Sequence, residues 1–403
     1  MYSSVIEFIR ETFQDKEGFI PLHAPYFGGN EKKYLLDTID STFVSSVGAY
    51  VNRFEEMTSE ITGAPYAIAT TNGTTALHLA LVASGVQHGD EVITQPLTFV
   101  ATANAITHAG GRPVFIDVDR DTMGMSPLAL ASFLEENAEV QDGVAYNKST
   151  GKKIAACVPM HTFGFPCRID EIAVICTRYH IPLVEDAAES LGSYYKGRHT
   201  GNFGLMGVFS FNGNKTITCG GGGAVITHDK ALAERLKHLS TTAKVPHPWE
   251  FTHDAVGYNY RMPNLNAAVA CAQLEQLPVI LENKKELAEI YADYFSNQGI
   301  NFVGGIEDAA PNNWLNTIIL ATLDQRNEFL EATNKTGVMT RPAWTLMNKL
   351  PMYSDCQCGT LDNAEWLEQR MVNIPSSYRR RIPEIKSQIT NSRRELRSEE
   401  VEE

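Results

Sequence analysis

From residue 66 onward short apolar runs alternate with helical patterns, and no other feature of the sequence narrows the fold as far. The runs lie at 66–70, 91–95, 113–117, 154–160, 182–186, 208–211 and 224–227. Each is too short for a typical helix and apolar along most of its length, the pattern of a strand covered on both faces. Helical patterns over 74–84, 98–108 and 170–179 separate several of them, the first closed by Gly85 and the second by Gly110. Such alternation predicts an α/β fold with a mostly parallel sheet flanked by helices. Ligands of these sheets gather at the carboxyl ends of the strands. Five of the seven runs lead straight into polar residues, so the chemistry is expected there.

The flanks are helical. Val5, Ile6, Ile9 and Phe13 are spaced as a helix over residues 1–18, followed by an extended stretch over 19–27. Asn30 then reads as the N-cap of a helix carrying Leu35, Ile39 and Phe43 on one side, and a further helix is expected near 53–62. Beyond the sheet, residues 265–277 are apolar around much of a helix, which Pro278 is expected to break. A second helix bearing Leu287, Ile290, Tyr291 and Tyr294 runs to Gly299. A strand at 315–320 and a helix at 325–333 come next. At 403 residues the chain exceeds what one core usually supports. The expectation is a large domain over 1–277, including the N-terminal helical segment, and a smaller α+β domain over 278–383. Residues 384–403 alternate charges without an apolar face and read as a disordered tail.

A net charge of −14 argues against nucleic acid or an anionic membrane as partner. No run approaches the roughly 18 apolar residues of a membrane helix, and the N-terminus does not resemble a signal peptide. Seven cysteines make an odd disulfide framework, and Cys356 and Cys358 lack the second pair that a zinc site needs. A reducing cytoplasm and no metal are expected.

Five features at strand ends carry chemical potential. Lys215 follows the run at 208–211 through a polar turn and precedes four glycines at 220–223. A lysine hemmed in by small residues can form a Schiff base; a surface lysine in a glycine-rich loop is the ordinary alternative. Gly73, Thr74 and Thr75 open a helix directly after the first run, where backbone N–H groups and hydroxyls suit a phosphate and Thr74 could equally act as a plain N-cap. Asp186 closes the fifth run, where its carboxylate could meet a pyridine nitrogen or cap the strand end. Ser210 precedes the lysine and offers another hydroxyl to a phosphate or to backbone. Phe99 lies at another strand end and could stack on a ring or pack in the core.

In their order the five resemble the pyridoxal-phosphate enzymes of the aspartate-aminotransferase-like fold type I. The phrases TNGTTALHLAL, DEVITQPLTFVATANAI, VEDAAESLGS, FSFNGNKTITCGGGG, GYNYRMPNLNAA and TRPAWTLMNKLPMY are similar to the DegT/DnrJ/EryC1/StrS family of nucleotide-sugar aminotransferases, over roughly residues 21–383. STFVSSVGAYVNRFE and MHTFGFPCRIDEI resemble its legionaminic-acid-pathway subgroup most.

The resemblance implies pyridoxal 5'-phosphate as cofactor, held by Lys215 as a Schiff base. It implies Asp186 at the ring nitrogen, Glu189 near the ring hydroxyl, Phe99 stacked on the ring, and Gly73, Thr74, Thr75 and Ser210 at the phosphate. Many relatives carry glutamine or histidine in place of Glu189. Asn259 is implied to reach the phosphate of a neighbouring subunit, making the site a property of a homodimer. On the substrate side, His161 could line the pocket or be structural, and Arg341 and Trp344 could meet substrate or simply pack. The implied reaction takes an amino group from L-glutamate and delivers it to C4 of a 4-keto-6-deoxy nucleotide sugar, a UDP-linked N-acetylhexosamine derivative or alternatively GDP-4-keto-6-deoxymannose. Family members that dehydrate the sugar carry histidine where Lys215 stands. A binder without catalysis would have no need of that lysine.

Overall fold

All seven expected runs are strands in the computed structural model, which describes residues 2–379. They are β1 (Tyr66–Thr70), β2 (Glu91–Thr94), β3 (Arg112–Phe115), β4 (Ile154–Val158), β5 (Val184–Asp186), β6 (Met206–Ser210) and β7 (Gly223–Thr227). Across the sheet they run β1-β7-β6-β5-β4-β2-β3, with parallel bridges Cys157–Leu183 and Met160–Asp186 joining β4 to β5. Only β7 is antiparallel to its neighbours. Both faces are covered, as continuous apolar runs require: Val208 and Val225 join one core cluster, while the adjacent Phe209 and Ile226 join another. The free edge of β3 is closed by the C-terminal part of the chain, where Phe115 N donates to Gln357 O at 2.9 Å and Gly359 N to Phe115 O at 2.8 Å.

Local chemistry sets the helix that follows β1. The Asn72 side chain accepts from Thr75 N at 2.9 Å while Asn72 N donates to the Thr75 hydroxyl at 3.3 Å, a capping box that starts the helix Gly73–Ser84. Gly85 ends it with a φ of +93°. The helix N-terminus is thereby fixed at the carboxyl end of β1, facing β6.

Outside the sheet the structure departs from the sequence pattern at several points. The helix Asn264–Gln298 runs unbroken through Pro278. Leu274, Leu277 and Ile280 around the proline sit in one buried cluster with Phe54 and Phe211, and that packing offsets the roughly 3 kcal/mol a helix-interior proline costs. The expected domain boundary at 277/278 thus falls within a helix. The N-terminal helix Ser3–Phe13 packs Val5 and Ile9 against Leu287, Tyr291 and Ile318, so it shares its core with the C-terminal unit. Asn30 makes no side-chain cap for the helix Glu31–Asp40; its Nδ2 donates instead to Glu275 Oε2 at 2.9 Å. That helix buries Glu31 and Thr38 and leaves Leu36, Ile39 and the following Phe43 exposed.

The C-terminal unit holds a four-stranded antiparallel sheet in the order Asn301–Phe302, Asn316–Ile319, Met371–Ile374, Arg341–Pro342. The charged tail at 384–403 lies outside the described residues.

Candidate active site

A cleft of about 590 Å³ opens at the carboxyl ends of β1, β5 and β6, with Lys215 in its wall. After β6 the chain turns tightly, Lys215 N donating to Asn212 O at 3.0 Å. Its side chain is only 12% exposed, and its Nζ donates to Glu189 Oε1 at 3.0 Å. The same ammonium lies 4.2 Å from the centroid of the Trp314 indole. Such a desolvated cation–π contact contributes up to about 2 kcal/mol. Glu189 is held at its other oxygen too, Oε2 accepting from Phe163 N at 2.9 Å. Burial pushes the Glu189 carboxyl above its ordinary range, and Lys215 opposes that shift.

Asp186 ends β5 with both oxygens engaged. Oδ2 accepts from the Thr102 hydroxyl at 2.7 Å and Oδ1 from Ala188 N at 3.2 Å. Thr102 is backed in turn by the Thr98 hydroxyl at 2.7 Å. Burial raises the Asp186 carboxyl, while Thr102, the Ala188 N–H and Lys215 favour the ionised form.

Opposite the lysine, the first turn of Gly73–Ser84 meets β6. A Cβ on Gly73 would lie 2.7 Å from Ser210 Cβ, so only glycine lets the helix start come this close. The resulting cup is lined by Gly73, Thr74, Thr75 and Ser210. Backbone N–H groups at a helix N-terminus favour an anion there. The Thr75 hydroxyl is already engaged in the cap, donating to Asn72 O at 2.9 Å. The glycines after Lys215 serve the same cup: Gly220 takes a φ of +80°, and a Cβ on Gly223 would lie 2.4 Å from Asn72 O. They let β7 press against the loop that carries the cup.

Phe99 is 47% exposed at the cleft, 6.0 Å between ring centroids from Trp344, which itself stands 4.7 Å from Phe163. An anion cup, an open aromatic face, a buried carboxylate and a sheltered amine together suit a flat phosphorylated heteroaromatic aldehyde. Among the described residues no group of acidic, histidine and cysteine side chains is placed to hold a metal ion.

Three expected residues are not in this cleft. His161 is fully buried: Nε2 lies 3.0 Å from Glu185 Oε2, and Nδ1 accepts from Cys167 N at 3.3 Å. Glu185 also accepts from the backbone of Gly201, Phe203 and Gly204, which makes the pair a structural tie behind β5. Arg341 is exposed on the small sheet, its Nη1 donating to Asn334 Oδ1 at 3.3 Å; its neighbour Trp344 does line the cleft. Asn259 is exposed and accepts from Arg261 Nε at 2.9 Å, outside the cleft of its own chain.

Conversely, Trp314 and Thr102 escaped the sequence reading. Trp314 arrives from the C-terminal part of the chain and Thr102 from the first turn of the helix Val100–His108, and neither carries a local motif.

Known proteins bear on this arrangement. The DegT/DnrJ/EryC1/StrS aminotransferase family pattern matches residues 25–386. GDP-perosamine synthase from Escherichia coli O157:H7 is 38% identical over 359 residues, covering 89% of this chain and 93% of that protein. EpsN of Bacillus subtilis (strain 168), provisionally named a pyridoxal phosphate-dependent aminotransferase, is 36% identical over 335 residues, 83% of this chain and 84% of that one. Among solved structures, the aminotransferase TlmJ from Streptoalloteichus hindustanus superposes with a TM-score of 0.81 at 25% identity, covering 94% of this chain and all of TlmJ. Helicobacter pylori PseC, at 23% identity and a TM-score of 0.82 over 92% of this chain and 96% of its own, shares the fold. The fold is that of the type I pyridoxal-phosphate enzymes, and the chain belongs to the DegT/DnrJ/EryC1/StrS aminotransferase family, whose cofactor is pyridoxal phosphate.

Proposed function

We propose that the protein moves an amino group from L-glutamate to C4 of a 4-keto-6-deoxy nucleotide sugar, with Lys215 as the catalytic lysine. The observation that carries this reading is the Lys215 ammonium, paired with Glu189 at 3.0 Å, in one cleft with Asp186 and the Gly73–Ser210 cup. Pyridoxal phosphate, when bound, supplies the electron sink for the carbanion at the amino-acid α-carbon. The protein supplies position and proton transfer. The cup formed by Gly73, Thr74, Thr75 and Ser210 would take the phosphate, Phe99 would cover the ring face, and Asp186 would hold the ring nitrogen. Glu189 would face the ring hydroxyl, and Lys215 Nζ would carry the proton to and from the substrate carbon. Both half-reactions share one site, the first product leaving before the second substrate enters, so ping-pong kinetics are expected.

The identity to GDP-perosamine synthases, 38% in Escherichia coli O157:H7 and 34% in Vibrio cholerae, favours GDP-4-keto-6-deoxymannose as acceptor. The blocks STFVSSVGAYVNRFE and MHTFGFPCRIDEI favour a UDP-linked N-acetylhexosamine of the legionaminic-acid type instead. We further read the protein as a cytoplasmic homodimer. Its cysteines are all free thiols, and the exposed Ile39, Phe43 and Val47 offer an apolar surface to a second copy. Asn259 then reaches the partner's cup.

The test is optical. The purified protein should be yellow with cofactor, L-glutamate should bleach it, and the matching keto sugar should restore the colour. Faster recovery with the GDP sugar than with the UDP sugar supports the first acceptor, and the reverse order the second. Protein that stays colourless with added cofactor overturns the enzymatic reading.

A further inference from the structure

Lys284 lies in the middle of the helix Asn264–Gln298 with 1% of its surface exposed. Among the described residues it forms no ion pair with a carboxylate. Its Nζ donates to three backbone carbonyls instead: Ser376 O at 2.7 Å, Trp314 O at 3.1 Å and Asn313 O at 3.5 Å. Burial pushes this amine down to about 7. A buried amine without a counter-charge is a costly way to fill space, and an apolar side chain would pack as well. What the lysine adds is a fixed point for two chain segments.

One of those segments leads into the active site. Trp314 Nε1 donates to Asn214 O at 2.6 Å, on the turn that carries Lys215, and its indole receives the Lys215 ammonium. Asn312 grips the other side, its Nδ2 donating to Glu189 O at 2.8 Å and to Leu191 O at 2.9 Å. The loop 312–314 therefore touches both partners of the Lys215–Glu189 pair, and Lys284 ties it from behind.

We propose that Lys284 is a positioning residue of the amino-transfer site, which through the Asn313 and Trp314 carbonyls holds the Trp314 indole against Lys215. The proposal rests on the reading of Lys215 as the catalytic lysine. It separates Lys284 from a lysine that merely fills the core, because its effect on the reaction must pass through Trp314.

The experiment is a double-mutant cycle on the cofactor-loaded enzyme with Lys284→Gln and Trp314→Phe, reading kcat, KM and the cofactor dissociation constant beside the melting temperature. Lys284→Gln alone should lower kcat on the order of tenfold, with KM changed by less than about twofold. It should also weaken cofactor binding. In the Trp314→Phe background it should lower kcat no further. Equal losses in both backgrounds, or a lower melting temperature with kcat intact, would overturn the proposal. If Lys284→Gln does not fold, the cycle is run with Lys284→Arg, whose larger head respaces the carbonyls while keeping the charge. Coupling to Trp314 again supports the proposal, and additivity overturns it. The reading of the site fails by a different result, a Lys215→Ala enzyme that still transfers amino groups.

Discussion

Gly73 and Ser210 approach so closely that a methyl group on the glycine would sit 2.7 Å from the serine Cβ. The capping box of Asn72 and Thr75 fixes the helix side of this contact, and β6 fixes the other. Neither can retreat without losing hydrogen bonds. Overpacking a fixed site costs about 1–3 kcal/mol. Gly73→Ala should therefore raise the dissociation constant for pyridoxal phosphate roughly ten- to hundredfold, as measured by absorbance titration of cofactor-free protein. An unchanged constant would place the phosphate elsewhere.

Lys215→Ala removes the amine while leaving the cup, Phe99 and Asp186 in place. The variant should still bind the cofactor, without the absorbance band of covalent attachment and without bleaching by L-glutamate. Turnover should fall on the order of a thousandfold or more, read from 2-oxoglutarate release. Retained bleaching would remove Lys215 from the chemistry.

Much of this site was legible in the sequence, and the limit falls at a physical line. Asp186, Ser210 and Gly73 each sit at a strand end or a helix start, positions that a local apolar run and its first polar residue mark out. His161 has the same signature at the end of β4, yet it turns back into Glu185, and no local pattern distinguishes the two directions. Trp314 touches Lys215 across a sequence gap that only the tertiary fold closes. Pro278 misled for a related reason. The expected break is a backbone cost of known size, whereas the packing of Leu274, Leu277 and Ile280 that offsets it depends on partners as distant as Phe54. The glycines at 220–223 stand out in the sequence, but the Asn72 carbonyl that Gly223 makes room for belongs to a loop far earlier in the chain and leaves no local mark.

Asp186 offers a test by pH. Burial raises its carboxyl above the ordinary aspartate value of 3.8, so the folded protein binds a proton the unfolded chain has already lost. That contribution to stability is present in full below the ordinary value and is lost as pH rises through the raised one. Asp186→Asn carries no such titration. Without cofactor, the melting temperature of the wild type should therefore fall relative to that of Asp186→Asn as pH rises from about 4 towards neutrality. A wild type that gains on the variant over this window would mean that Thr102 and Ala188 outweigh burial. With cofactor and substrates present, Asp186→Asn should lower kcat about 10²–10³-fold, as loss of a fixed electrostatic partner does.

The exposed Asn259 gives the proposed dimer a functional test that size measurements alone cannot. If its amide completes the phosphate cup of the partner, Asn259→Ala and Lys215→Ala each damage a different half of the same composite site. In a mixed dimer one site combines the intact Lys215 of one chain with the intact Asn259 of the other, while the second site carries both defects. Co-refolding the two variants in equal amounts should then restore roughly a quarter of wild-type activity, since random pairing makes half the dimers mixed and each of these has one good site. The gain should appear only after subunit exchange and should scale with the mixed-dimer fraction resolved by differential tagging. Activity that never exceeds the sum of the two separate variants would show that each chain builds its site alone, and Asn259 would revert to what its bond with Arg261 already makes it, a residue that orders its own loop.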